Sequence, residues 1–128
     1  MWTVIIILFI LSGCSIEKVS AKKQDKIEYT ILKESEFPEE VQKLLEENKA
    51  QEFQLTYQEQ EFLYLMKGYG EQKTGGYSIR IEDISLWENA VHMQTTLIGP
   101  KETNLKEEPS YPYVVVRIKD REEPVIFE

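Results

Sequence analysis

Residues 62–84, FLYLMKGYGEQKTGGYSIRIEDI, decide the fold class of this chain. The first five residues are all apolar, which predicts a central strand covered on both faces. From Tyr77 onward apolar and polar residues alternate, which predicts a second strand with one buried and one solvent-facing side. Between the two, Gly75 and Gly76 supply the positive φ angles that a tight turn requires. The stretch therefore predicts two strands joined by a glycine turn.

The segment before this stretch predicts one strand and one helix. In residues 27–31 the apolar residues Ile27, Tyr29 and Ile31 alternate with polar ones, which predicts a half-buried strand. Residues 35–51, SEFPEEVQKLLEENKAQ, predict a short amphipathic helix with Ser35 as a candidate cap and Pro38 in its first turn. The helix would lay one stripe on the core, formed by Val41, Leu44, Leu45 and Asn48.

Further strands are predicted wherever the pattern has a period of two or a β-branched run. With the segments above they make about seven, and the others lie at residues 53–57, 90–98, 113–118 and 124–127. Strands that occur in runs, without alternating helices, favour an antiparallel sheet. We therefore expect an α+β domain with a small, mostly antiparallel sheet of about seven strands and one amphipathic helix.

The glycine turn invites comparison with a phosphate-binding loop. A Walker-type loop has its Lys-Thr directly after a glycine and at the start of a helix. Here Lys73 and Thr74 precede Gly75 and Gly76, and a strand follows, so the order argues against nucleotide binding. Two interpretations remain. The glycines either form a turn with Lys73 and Thr74 on its rim, or they let the backbone of another chain approach next to Tyr77.

The first residues form an apolar run that ends in Leu11-Ser-Gly-Cys14. Residues 1–13 contain no charged side chain, and the run Trp2–Leu11 is shorter than the roughly 20 residues that a membrane-spanning helix needs. Its length suits the apolar part of a secretory signal. The final four residues resemble the lipobox of bacterial lipoproteins, which implies cleavage after Gly13 and a diacylglycerol on Cys14. A buried core cysteine is the alternative.

These observations divide the chain into three parts. Residues 1–13 are predicted to be a lipoprotein signal peptide, residues 14–26 a lipidated N-terminus with a flexible polar tether, and residues 27–128 the folded domain. The predicted location is the extracytoplasmic face of a cell membrane, and the membrane is the first expected partner. Cys14 is the single cysteine, so the domain has no internal disulfide.

The charge excludes some classes of partner. The chain has 23 acidic and 15 basic residues and a formal net charge of −8. Nucleic-acid binding needs lysines and arginines that neutralise phosphates, so we expect no nucleic-acid partner. The same acidity argues against electrostatic attraction to anionic lipid head groups.

The residue types that carry catalysis or bind metals are scarce. The single histidine, His92, alternates with Val91 and Met93 and is predicted to face solvent. Cys14 is consumed by the predicted lipid, and no serine lies in a recognisable nucleophile motif. The acidic pairs follow no calcium-loop pattern and are expected to be solvated. We therefore expect no catalytic residue, no metal site and no cofactor.

The order of the elements resembles the C-terminal domain of the protease complex subunit PrcB family. The resemblance rests on residues 37–53, on residues 62–84, on a hairpin through Gly99-Pro100, and on Tyr111–Lys119, and it spans about residues 36–127. It implies a small envelope domain, often a lipoprotein. The founding type implies a non-catalytic partner that associates with an extracellular protease and stabilises it.

Two functions are compatible with these patterns. The first is a protein-interaction module that binds an envelope protein, and its candidate contact residues are Lys73, Thr74, Gly75, Gly76, Tyr77, Tyr111, Pro112 and Tyr113. The second is a small ligand-binding lipoprotein, in which the tyrosines and Trp87 line a pocket instead of packing in a core.

Overall fold

The structure is a computed structural model that describes residues 25–103 and 105–128. The predicted signal peptide, the candidate lipid acceptor Cys14 and most of the predicted tether lie outside the described residues. Within the described ranges, no helix is long and apolar enough to cross a membrane.

Eight strands, one α-helix and one short 3-10 helix make up the described chain. The helix α1 spans Glu39–Asn48, and the 3-10 helix spans Glu34–Glu36. The strands are β1 (Asp25–Lys26), β2 (Thr30–Ile31), β3 (Glu52–Glu59), β4 (Phe62–Tyr69), β5 (Ser78–Trp87), β6 (Ala90–Ile98), β7 (Tyr113–Lys119) and β8 (Val125–Phe127). The predicted α+β class is confirmed, with eight strands where about seven were expected.

The strands form two four-stranded sheets. The first sheet has the order β1-β5-β6-β8, and the second has the order β2-β7-β4-β3. All neighbouring strands are antiparallel except β6 and β8, which are parallel. The predominance of antiparallel pairing is confirmed, but it is distributed over two sheets instead of one.

One apolar core lies between the two sheets, and a second lies between the second sheet and α1. The first core combines β4 and β7 with β5 and β6, through Leu63, Leu65, Ile84, Val91, Met93, Val114, Val116 and Ile118. The second core combines α1 with the opposite face of the second sheet, through Leu32, Phe37, Val41, Leu45, Phe53, Tyr64, Met66 and Val115. β4 contributes to both cores because its successive side chains point to opposite faces. The prediction that residues 62–66 form a central strand covered on both faces is confirmed.

The helix begins at a different residue type from the one expected. Pro38 is the N-cap of α1, with φ −60° and ψ 155°, and Ser35 lies inside the preceding 3-10 helix. The predicted Ser35 cap is therefore wrong. Glu39 and Glu40 occupy the first turn, where carboxylates interact favourably with the helix dipole.

The strand predicted over residues 27–31 is also wrong. β1 belongs to the first sheet and β2 to the second, so residues 27–29 cross from one sheet to the other. Tyr29 and Ile31 are 42% and 52% exposed, whereas Leu32 is buried in the core beneath α1. Alternation alone cannot show that neighbouring residues join different sheets.

Candidate interaction surface

The glycine turn and the segment before β7 lie side by side. The N–H of Gln72 donates to the carbonyl of Ser110 at 2.8 Å, and the N–H of Ser110 donates back to Gln72 at 3.0 Å. The Ser110 hydroxyl also donates to the carbonyl of Thr74 at 2.6 Å. We call residues 69–77 together with residues 110–113 the two-loop surface. It unites all eight candidate contact residues from the sequence.

Two further bonds join these segments. The N–H of Tyr69 donates to the carbonyl of Pro112 at 3.0 Å. The phenol of Tyr111 donates to Oε1 of Glu71 at 3.1 Å, and this bond to a carboxylate raises the pKa of Tyr111 above its ordinary value. The ammonium of Lys49, just beyond α1, lies 5.7 Å from the Tyr111 ring centroid. The two-loop surface is therefore held by backbone and side-chain contacts together.

The two adjacent glycines have different roles. Gly76 has a φ of +83°, and a Cβ added there would lie 2.9 Å from Cβ of Pro100 and 3.4 Å from Cδ1 of Leu105. The predicted positive φ is confirmed at Gly76 but is wrong at Gly75, and a Cβ at Gly75 would meet no atom of the described residues within 4 Å. The close approach at Gly76 therefore comes from this chain's own loop, while Gly75 has open space beside it.

The open side of the glycine turn borders a shallow hollow. This hollow has a volume of about 360 Å³ and is lined by both glycines, Leu105, Lys106, Glu108 and Pro109. Lys73 beside it is exposed, and Thr74 and Tyr77 are half-buried. A partner could therefore reach the rim of the turn and the backbone at Gly75.

The aromatic side chains named by the sequence go to different places. Tyr113 packs on Phe37 with ring centroids 6.3 Å apart, and its burial raises its pKa. Tyr111 lies at the surface beside Glu71, and Trp87 stacks on His92 with centroids 4.3 Å apart. Tyr113 is thus half-buried and packs against the core beneath α1.

Two side-chain contacts at this end of the two packed sheets were not expected from the sequence. The Lys67 side chain is only 7% exposed, and its ammonium pairs with Glu52 at 3.2 Å and lies 4.7 Å from the Tyr69 ring centroid. The Tyr69 hydroxyl shares a 2.6 Å hydrogen bond with the Thr95 hydroxyl. Lys67 directly follows five apolar residues of the same strand, and this sequence pattern indicates a buried lysine.

The prediction that His92 faces solvent is wrong. Its parity is as expected, but Trp87 stacks on the ring and the residue is 6% exposed. Neither ring nitrogen has a hydrogen-bond partner among the described residues, and the nearest carboxylate, Glu128, lies 3.5 Å from Nδ1. The neighbouring Ser85 donates to Asp83 at 2.7 Å. The structure therefore brings a serine near this histidine without forming a Ser–His hydrogen bond.

Acidic and metal-ligating side chains are dispersed over the described ranges. Within residues 25–103 and 105–128, no group of three or more His, Cys, Asp or Glu side chains could hold a metal ion.

Comparison with known proteins gives one match. The family model described as PrcB C-terminal matches residues 63–119. No curated protein and no solved structure matches the chain. The matched segment starts in β4 and ends with the last residue of β7, so it contains the entire two-loop surface but not α1 or β3. Residues 63–119 thus carry the PrcB C-terminal sequence pattern that the order of elements predicted.

Proposed function

We propose that this chain is a lipid-anchored protein-interaction module on the extracytoplasmic face of a cell membrane, and that its two-loop surface contacts another envelope protein. The match to the PrcB C-terminal family over residues 63–119 supports association with a protease complex. The resemblance described above implies that the partner is an extracellular protease, which the module stabilises. The diacylglycerol on Cys14 would keep the module close to that partner.

The observation that carries the proposal is the fixed geometry of the two-loop surface. The paired bonds between Gln72 and Ser110 and the bond from Ser110 to Thr74 hold two chain segments in one arrangement. A surface that is already ordered loses less conformational entropy when it binds. Lys73 and Gly75 lie on the accessible side of this arrangement. The geometry therefore suits contact with a protein surface.

Site-specific cross-linking tests the interface. A photoreactive residue at Lys73 is expected to capture one enriched envelope protein from intact membranes. The same residue at Gln58 is the control, because Gln58 is exposed near the opposite end of β4. Equal capture of a protein from both positions would contradict the proposed interface. Recovery of this chain alone, without a cross-linked protein, would contradict it as well.

A matched substitution separates binding from folding. Because Gly75 has open space and no positive φ, Gly75→Gln is expected to leave the melting temperature unchanged. A side chain placed in the contact region is expected to reduce partner capture about tenfold, as for a central interface position. Unchanged capture would remove Gly75 from the interface.

The lipid anchor has its own test. Cys14→Ala is expected to abolish the uptake of labelled fatty acid and to release the chain from the membrane fraction. Cys14 is the only cysteine in the sequence, so no second thiol can replace it. A Cys14→Ala chain that still takes up label would disprove the anchor.

We also propose that the module acts without catalysis. His92 supports this proposal because it packs against Trp87 and makes no hydrogen bond to any serine that the structure describes. His92→Gln is expected to leave partner capture and partner stabilisation unchanged. A loss of partner stabilisation in a His92→Gln chain that folds normally would contradict it.

A further inference from the structure

A cleft of about 450 Å³ opens where the chain crosses between the two sheets. It lies at the end of β7 that is opposite the two-loop surface, because Lys119 pairs with Phe62 there and Tyr113 pairs with Gly68 at the other end. Its walls are formed by Lys26, Ile27, Glu28, Tyr29, Thr30, Phe62, Arg117, Ile118, Lys119 and Arg121. This cleft has no part in the proposed protein interface.

The cleft is basic although the chain is acidic. Its lining has four cationic side chains and one carboxylate, that of Glu28, whereas the chain has a net charge of −8. Local charge determines which ion enters a cleft, since charges beyond about 10 Å are screened at ordinary salt concentrations. The cleft therefore favours an anionic group.

Two of the four cations are available to such a group. Arg121 pairs with Glu123 at 3.1 Å, and Lys26 pairs with Asp83. Arg117 and Lys119 have no carboxylate within ion-pair distance among residues 25–103 and 105–128. The Arg117 guanidinium lies 4.3 Å from the Phe62 ring centroid, which fixes its position without neutralising its charge. An incoming phosphate would meet one guanidinium stacked on Phe62 and one exposed ammonium.

One exposed aromatic side chain adjoins these cations. Tyr29 lines the cleft and is one of the three large apolar side chains that the described chain exposes. Tyrosines are enriched at the head-group level of membranes, where one end is apolar and the other is hydrated. Cations beside an exposed tyrosine suit a lipid surface better than an acidic peptide in solution.

We propose that this cleft binds the phosphate of anionic phospholipid head groups and so rests the β1–β2 end of the domain on the membrane. The position of the cleft along the chain agrees with this proposal. Ten residues separate Cys14 from Asp25, and they can span at most about 35 Å, so the cleft would lie close to the proposed anchor. In this one respect the inference rests on the proposed anchor.

Photocross-linking to lipid tests the inference. The full chain carries a photoreactive phenylalanine analogue at Tyr29 and is mixed with vesicles of phosphatidylcholine alone or with added phosphatidylglycerol. We expect lipid adducts at position 29 to form mainly with phosphatidylglycerol present. The same analogue at Gln94, an exposed residue of β6, is the positional control. Equal yields with both vesicles would overturn the proposal.

Charge variants identify the residues. Arg117→Gln and Lys119→Gln are each expected to reduce the adduct yield about fivefold, because each cation near an anionic surface contributes a factor of this size. Lys73→Gln makes the same charge change on the two-loop surface and is expected to have no effect. Arg117→Lys keeps the charge and is expected to restore most of the yield. Equal losses in all three neutral variants would show a general charge effect and reject the cleft.

Two more measurements separate the alternatives. Protection of position 29 by glycerol phosphate, with adduct yields that do not depend on phosphatidylglycerol, would show that a soluble phosphate is the ligand. Protection by an acidic peptide but not by glycerol phosphate would show a peptide site. Either result overturns the lipid assignment. Fatty-acid labelling of Cys14 in the same preparation keeps the two proposals distinct. If the adduct at position 29 depends on phosphatidylglycerol but Cys14 takes up no labelled fatty acid, only the anchor is rejected. If Cys14 is labelled but the adduct does not depend on phosphatidylglycerol, only the cleft is rejected.

Discussion

The hydroxyl groups of Tyr69 and Thr95 lie 2.6 Å apart and connect the two sheets of the sandwich. Tyr69 ends β4 in the second sheet, and Thr95 lies in β6 of the first. The backbone N–H of Tyr69 also donates to Pro112. The packing of the sandwich and the position of the two-loop surface are thus coupled through one residue.

Removing either hydroxyl is expected to destabilise the fold modestly. Tyr69→Phe and Thr95→Val should each lower the free energy of unfolding by about 0.5–1.5 kcal/mol, because each removes one hydroxyl and leaves the other, part-buried hydroxyl without its hydrogen-bond partner. The double variant should cost less than the sum of the two, since both remove the same bond. Urea unfolding of the four chains measures this. Fully additive losses would show that the two hydroxyls act independently.

The two glycines of the turn should differ in their tolerance of a side chain. Gly76→Ala combines a positive φ with a contact to Pro100, so we expect a loss of about 1–3 kcal/mol in unfolding free energy. Gly75 has neither constraint, so Gly75→Ala should change the unfolding free energy by less than about 1 kcal/mol in either direction. Thermal unfolding of the pair measures the difference, and equal losses would contradict the assigned roles.

The buried cation of β4 should depend on its partner. Glu52→Gln leaves the Lys67 ammonium without its carboxylate, but Glu52 is 68% exposed, so the expected loss is under about 1 kcal/mol. Lys67→Met keeps an apolar stem against Tyr69 and removes the charge, and should be neutral or stabilising. Denaturant unfolding distinguishes the two variants. A large loss in Lys67→Met would show that the charge itself stabilises the strand.

The ionisation of Tyr111 should report the bond to Glu71. Its pKa is raised above 10.0 in the folded protein, first because the phenol donates to the Glu71 carboxylate and then because of the negative charge of that group. Glu71→Ala removes both causes and should lower the pKa of Tyr111, whereas Glu71→Gln keeps an acceptor and should lower it less. Ring signals of Tyr111, assigned with Tyr111→Phe, follow the titration.

The sign of the corresponding stability effect is fixed by linkage. Because folding raises the pKa of Tyr111, its contribution is complete below pH 10 and is lost as the pH rises through the higher folded value. Wild-type protein should therefore lose more stability above pH 10 than Glu71→Ala does. Parallel unfolding curves for the two chains across this range would contradict the prediction.

The elements with a complete local pattern could be predicted from the sequence. β4 is apolar on both faces, and α1 has its stripe at helical spacing with Val41 and Leu45 buried. The turn at Glu88-Asn89 contains an asparagine, a residue type that tolerates positive φ, and both residues have a positive φ. In each case the deciding forces act within a few residues.

Features that depend on distant segments could not be predicted. Ser110 bonds to a residue 36 positions away, and no local pattern indicates that pairing. His92 is on the expected face of β6, but its burial depends on Trp87, which lies across the turn and stacks on it. The crossing at residues 27–29 was missed for the same reason, because the assignment of β1 and β2 to different sheets is a tertiary property.

That crossing determines how the domain responds to tension. A force applied before Asp25 acts first on β1, which pairs with β5 through two residues, and then on β2, which pairs with β7 through two residues. Because each pairing has only two residues and β1 precedes β2 in the chain, we expect β1 to separate before β2. β4 and β7 share seven residue pairs and lie behind them. If the proposed anchor holds the domain, we expect residues 25–31 to extend under load before the pairing of β4 with β7 and the two-loop surface are lost.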